Sequence, residues 1–163
     1  MHFVICVGQD AKYAKKLMYL AHKYEVDNIT ILTYTENLPL LMAASDIAVI
    51  KPGGLATTEC ICSKLPIILL GKTYAQENIN RRYLMSCGIA EHATSYEGFI
   101  SLLCDVFVEK DRYNKLVKNI NKVRKTKSAQ VIAKKSVAIM NKNFDVNKKR
   151  TSLYLGKRPV HTQ

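Results

Sequence analysis

The chain has 163 residues, 48% of them hydrophobic, and a formal net charge of +12. That is one domain, long enough to bury a real core, and its composition argues against disorder. It holds no run of about 18 apolar residues of the kind that crosses a bilayer, and its opening Met-His-Phe-Val-Ile-Cys-Val-Gly lacks the basic start and long apolar stretch of a signal peptide, so a cytosolic chain is expected. The five cysteines, Cys6, Cys60, Cys62, Cys87 and Cys104, lie inside segments that read as strands and helices. Small buried hydrophobes in a reducing compartment account for them. Cys60 and Cys62 fall on different faces of a helix with no histidine cluster nearby, so no metal site is expected.

Taken in order, strands and helices alternate. Phe3 to Val7 is a short apolar strand, and Asp10 to Glu25 places Tyr13, Leu17, Leu20 or Ala21 and Tyr24 at helical spacing with lysines between them. Ile29 to Tyr34 is the second strand, Pro39 to Ala44 a short helix, and Ile47 to Ile50 the third strand. Leu55 to Lys64 is a helix, and Ile67 to Leu70 after Pro66 a fourth strand. Gln76 to Cys87 forms a helix closed by Gly88, and Thr94-Ser95-Tyr96-Glu97 reads as a capping box for a helix to about Glu109. This alternation predicts an α/β fold, a Rossmann-like parallel sheet with helices on both faces. Beyond Asp111 the pattern is helix only, with one stripe of Tyr113, Leu116, Val117, Ile120 and Val123 and a weaker one of Val131, Ile132, Val137 and Met140. A lobe over 1–147 and a frayed basic tail over 148–163 are expected.

Two segments carry chemistry. Ile47 to Glu59 reads as strand, paired glycines, then helix with a carboxylate one and a half turns in. Glycines let a backbone turn sharply and approach a ligand without Cβ clashes, and a helix N-terminus offers unpaired N–H groups to an anion, so a nucleotide diphosphate fits. An ordinary strand-to-helix turn fits as well. The second segment is basic: Lys110 to Arg158 holds 16 Lys or Arg against Asp111 and Asp145, a net of +14, while the rest of the chain nets −2. Such a block suits nucleic acid or a membrane surface, and it also suits a solvated helix face.

Residues Asn37 to Asp46, Lys51-Pro-Gly-Gly-Leu, Glu59, Leu65-Pro66, and Gln76-Glu77 with Asn80 together resemble the C-terminal lobe of family 28 glycosyltransferases. The likeness, spanning roughly Phe3 to Glu109, is greatest to the diacylglycerol glucosyltransferase and monogalactosyldiacylglycerol synthase branch. The resemblance implies the donor-binding lobe of a two-lobed GT-B hexosyltransferase that transfers sugar from a UDP-hexose, with inversion and without an obligatory metal or other cofactor, to a lipid acceptor such as diacylglycerol. It implies that Gly53, Gly54 and the amides of Leu55, Ala56 and Thr57 face the pyrophosphate. Glu59 would take both ribose hydroxyls, since a carboxylate has two accepting oxygens. Gln76, Glu77 and Asn80 would reach the sugar, helix capping being their plainer role, and Thr33 to Glu36 would border the uracil.

Departures accompany the likeness. Ala56 stands where the family usually has Thr or Ser, so that one hydroxyl contact to phosphate is either missing or supplied by Thr57 or Thr58, and Thr33 replaces a common glycine. The resemblance also leads one to expect that the lobe's first strand and the acceptor lobe with its catalytic base lie outside this chain, so no catalytic residue is assigned. His2, His22, His92 and His161 have no acidic partner at a recognisable spacing. Two further readings stand beside this one: the donor-binding subunit of a two-chain N-acetylglucosaminyl transferase, and a non-catalytic basic module for nucleic acid or anionic membrane. The expected partners are a UDP-hexose, an acceptor lobe or partner subunit, and an anionic membrane rather than nucleic acid, with the chain peripheral on the cytoplasmic face.

Overall fold

The computed structural model describes the backbone of residues 1–155 and the side chains of residues 1–142. Strand and helix alternate through β1 (Phe3–Cys6), α1 (Ala11–Lys23), β2 (Ile29–Leu32), α2 (Leu38–Ala44), β3 (Ala48–Ile50) and α3 (Gly54–Cys62). Then follow β4 (Ile67–Leu70), α4 (Ala75–Ser86), β5 (Ala90–Ala93), α5 (Tyr96–Val108), α6 (Lys110–Val123) and α7 (Ser128–Leu155). The chain divides after Arg124 into two units, earlier than the 147 expected from sequence.

In the first unit every strand pairing is parallel, as the alternation requires. β4 is flanked by β3 and β5, and its Ile67, Ile68 and Leu69 are fully buried. Around it gather Met42 of α2, Cys60 of α3, Leu84 of α4 and Ile120 of α6. Burial pushes the Cys60 thiol up to about 11, with the nearby Glu59 carboxylate adding to the effect, so this cysteine is an unreactive core residue. Cys6 and Cys104 are exposed thiols instead.

Several helix ends follow their sequence signals. Asp10 caps α1 by accepting from the Tyr13 N–H at 2.9 Å, and Ser95 caps α5 by accepting from the Gly98 N–H at 3.1 Å. The position that a reciprocal capping box gives to Glu is Gly98, so that box is half formed. α6 is joined to the sheet by Arg112, whose guanidinium holds both Glu91 oxygens on β5 at 2.7 and 2.6 Å and reaches Asp105 on α5 at 3.3 Å. The Glu91 hydrogen bonds hold that guanidinium above its ordinary value against the opposing effect of burial.

Three features differ from the sequence reading. β5 was not expected: Ala90-Glu91-His92-Ala93 has no β-branched or aromatic residue, and it is a strand because it continues the β4 ladder. α7 runs to Leu155, across the expected start of the frayed tail at Lys148, and 156–163 lie outside the described residues. The sheet is also split, because the hydrogen bonds form one ladder of β1–β2 and another of β3–β4–β5.

The split leaves β1 and β3 each with a free edge. The Phe3 N–H donates to Asn28 O at 2.8 Å and the Val7 N–H to Leu32 O at 2.9 Å, so the intervening Val4 and Cys6 amides face away from β2. The Ala48 N–H donates to Pro66 O at 2.9 Å, so the Val49 amide likewise faces away from β4. Phe3, Val4 and Val49 are 37%, 42% and 39% exposed, which is unusual for parallel strands. Native-state hydrogen exchange followed by NMR is expected to show fast exchange at Val4, Cys6 and Val49 and slow exchange at Ile5, Ile50 and Ile68. Equal protection of both sets would mean that these edges are paired in solution.

Candidate functional site

The site is built where β3 and β4 deliver the chain into α3 and α4. β3 ends at Ile50, and Lys51-Pro52-Gly53 leads into α3; β4 ends at Leu70, and Gly71 to Tyr74 lead into α4. Because the strands are parallel and in register, both junctions open at one edge of the sheet, where ligands of open parallel sheets sit. Asn80 joins them: from α4 its side-chain N–H₂ donates to Pro52 O at 2.9 Å, next to the glycine pair, and Pro52 itself is fully buried.

α3 begins without a side-chain cap. The Gly53 amide donates to Lys51 O at 2.8 Å, and the first helical donor is the Thr57 amide, to Gly53 O at 3.1 Å. The amides of Gly54, Leu55 and Ala56 are therefore the free donors at this terminus, and a partial positive charge goes with them. At the opposite end the carbonyls are satisfied, since the Ser63 N–H donates to Glu59 O at 2.9 Å and Arg124 Nε donates to Cys62 O at 2.8 Å. The helix is closed at one end and open at the other.

Neither backbone nor packing requires the two glycines. Gly53 sits at φ −74°, Gly54 is helical, and a Cβ on either would meet nothing within 4 Å. The sharp, glycine-only turn expected from sequence is thus not their role. Gly88 is the contrasting case: it sits at φ +63°, its Cβ would come within 2.8 Å of the Asn119 amide, and Asn119 donates to Gly88 O at 3.0 Å. Gly88 is a structural glycine, whereas the freedom at Gly53 and Gly54 is open to whatever approaches from solvent.

The remaining expected site residues divide. Leu55 is 83% exposed beside the free amides, and Glu59 is exposed on α3 with no ion pair among the described residues. Gln76 is exposed and Glu77 half-buried in the first turn of α4. Thr57 is corrected: its amide is in the helix ladder and its buried hydroxyl donates to Gly53 O at 2.6 Å. The Thr58 hydroxyl donates to Gly54 O at 2.7 Å, so neither threonine supplies the hydroxyl that Ala56 lacks. Asn80 is also corrected in part, because one N–H of its side-chain amide positions the loop, which leaves its second N–H and its carbonyl oxygen for a ligand. The segment 33–36 follows β2 as an exposed turn, in which the Asn37 N–H donates to Thr35 Oγ1 at 3.1 Å.

Sequence reasoning missed two supports of the loop 71–74. Arg81 on α4 donates from Nε to Thr73 Oγ1 at 3.1 Å and from Nη2 to Asn78 Oδ1 at 2.7 Å, and His92 Nε2 donates to Gly71 O at 2.8 Å. No local signal pairs residues eight or 21 apart. Ala75, between this loop and Gln76, has φ +44°, a conformation that costs an L-residue about 1–2 kcal/mol and is found preferentially at functional sites. Among the described residues no group of three or more His, Cys, Asp or Glu is placed to hold a metal ion.

The parallel α/β fold matches the GT-B fold seen in glycosyltransferases. WaaG, described as a glycosyltransferase involved in lipopolysaccharide biosynthesis, superposes with a TM-score of 0.64 over 85% of this chain and 37% of that one, at 18% identity. In sequence the chain is similar to the processive diacylglycerol beta-glucosyltransferase of Staphylococcus carnosus, 31% identical over 103 residues, covering 63% of this chain and 26% of that protein. The Bacillus licheniformis protein of the same name is 27% identical over 147 residues, 88% of this chain and 38% of its own length. The chain thus spans roughly a quarter to two-fifths of these relatives, and no protein-family profile matches it.

The glycine contrast is directly measurable. Gly53→Ala and Gly54→Ala are expected to leave unfolding free energy within about 1 kcal/mol of wild type, whereas Gly88→Ala loses about 1–3 kcal/mol through its left-handed backbone and the Asn119 clash. Urea denaturation of the three variants decides this. Equal losses at all three positions would return Gly53 and Gly54 to a structural role.

Proposed function

We propose that this chain is the donor-binding lobe of a glycosyltransferase that uses a UDP-hexose, with inverting transfer to a lipid acceptor such as diacylglycerol. The observation that carries the proposal is the open N-terminus of α3: three free amides behind two glycines whose missing side chains serve nothing within the protein. A diphosphate suits that place, being an anion that needs close backbone approach and several N–H donors. Glu59, exposed one turn further along, then takes the ribose hydroxyls. Gln76 and Glu77 face the hexose, and Asn80 aligns the two junctions.

A lipid acceptor and a glucosyl group are the part of this reading that rests on the relatives' names, diacylglycerol beta-glucosyltransferases. The base and the acceptor surface belong to residues outside this arrangement. Of the described histidines nearest the site, His92 uses Nε2 on Gly71 O, and no carboxylate pairs with it. On this reading the purified chain binds donor without transferring sugar at a meaningful rate, because positioning and general-base catalysis are absent together.

Calorimetric titration with UDP and with deoxyuridine diphosphate tests the assignment. Loss of a charge-assisted hydrogen bond costs about 1.5–3 kcal/mol, so Glu59→Ala is expected to weaken UDP at least about tenfold and deoxyuridine diphosphate much less. Gly54→Ala is expected to weaken both alike, since its Cβ enters the diphosphate space. Wild-type affinity for UDP in the Glu59 variant would remove the ribose role, and unchanged affinity in the Gly54 variant would remove the diphosphate site.

A further inference from the structure

We propose that the outer face of α1 is a docking surface for an anionic lipid bilayer, separate from the donor site. α1 packs one side of itself on the sheet through Ala14, Leu17, Leu20 and Ala21, of which Ala14 is buried. Helical geometry at 100° per residue gathers Lys12, Lys15, Lys16, Tyr19 and Lys23 on the opposite side, with Met18 at its flank. All six are exposed, Tyr19 by 63% and Met18 by 49%. From Ala11 to Tyr24 there is no acidic residue, so the face carries four lysine charges without compensation.

The aromatic and thioether groups distinguish this face from an ordinary solvated one. A tyrosine in the middle of a lysine cluster keeps its ring in water at a cost, unless the ring has an interface to enter while its hydroxyl and the ammonium groups stay among phosphates. α6 is the natural comparison, because the sequence places the charge excess from Lys110 onward. It turns Lys115, Lys118 and Lys122 outward, but together with Asp111 and Asn121 and without an exposed aromatic residue. Charge alone holds a helix at the headgroups, whereas charge around an exposed tyrosine also lets a ring enter them, as in an amphipathic interfacial helix. A bilayer is favoured over nucleic acid because the face combines apolar area with a length of about 17 Å in one plane, the geometry of a helix lying on a surface.

The chain contains no tryptophan, so Tyr19→Trp makes a single reporter on this face. The experiment uses the whole chain with vesicles of phosphatidylglycerol, vesicles of phosphatidylcholine, and a 20-base-pair DNA duplex at equal phosphate. Co-sedimentation with phosphatidylglycerol at low salt is expected, falling away toward about 0.5 M salt, with none on phosphatidylcholine. Each lysine near such a surface contributes about fivefold in affinity, so the triple variant Lys12→Gln, Lys15→Gln, Lys16→Gln is expected to bind about 100-fold more weakly. Lys115→Gln, Lys118→Gln, Lys122→Gln together should change binding less than about fivefold. Indole emission from the Tyr19→Trp variant should shift to the blue on phosphatidylglycerol and be quenched by brominated acyl chains.

Circular dichroism and UDP titration of the α1 triple variant keep folding and donor binding separate from lipid binding, and both are expected to match wild type. Four results would each overturn the proposal: no wild-type binding to phosphatidylglycerol, wild-type binding by a folded α1 triple variant, unshifted indole emission from the Tyr19→Trp variant, or preference for the duplex over the vesicles.

Discussion

Burial of β4 between two parallel neighbours is the constraint on which the rest of the first unit depends. Ile67 and Leu69 reach one side of the sheet and Ile68 the other, all at 1% exposure or less, so β4 can be covered only if helices pack on both faces. α3, α4 and α6 supply Cys60, Leu84 and Ile120 to the cluster on one side. Parallel pairing then decides where function can lie. It brings the carboxyl ends of β3 and β4 to one edge, and the two helices that leave that edge start within reach of each other.

The polar contacts divide according to that edge. Away from it they are satisfied: Asn119 and Arg124 of the α6 region serve the carbonyls of Gly88 and Cys62 where α4 and α3 end, and Arg112 ties α6 to Glu91 and Asp105. No buried side-chain nitrogen or oxygen among the described residues lacks a partner. At the junction edge the amides of α3 have no partner, Ala75 adopts a left-handed backbone, and Glu59 and Gln76 stand exposed. A fold that pairs its buried polar side chains and leaves helix amides open at this edge suits a ligand there.

The free edges of β1 and β3 belong to the same pattern of local order and long-range choice. Strands with exposed Phe3, Val4 and Val49 have the composition of buried parallel strands, yet each is paired on one side only. Their side chains repeat with the period of a strand. Which neighbours those strands acquire is a separate matter.

By itself the sequence determined the local elements and the chemistry at their ends. Apolar runs at Phe3, Ile29, Ile47 and Ile67 mark strands because β-branched residues suit a pleated, buried surface, and Asp10, Ser95 and Gly88 mark helix ends through their own capping and φ preferences. The Lys51 to Glu59 segment was legible for the same reason, its strand, glycines and helix being contiguous. The tertiary structure alone decided what distance along the chain conceals. β5 exists because β4 templates Ala90-Glu91-His92-Ala93, Asn80 serves Pro52 from 28 residues away, and Arg112 reaches Glu91 across 21. It also decided that Thr57 and Thr58 spend their hydroxyls on the turn before them, and that Gly53 and Gly54 are needed by neither backbone nor packing. Periodicity and residue preference act over one or two turns, whereas hydrogen-bond partners and empty space are set by packing between elements far apart in the chain.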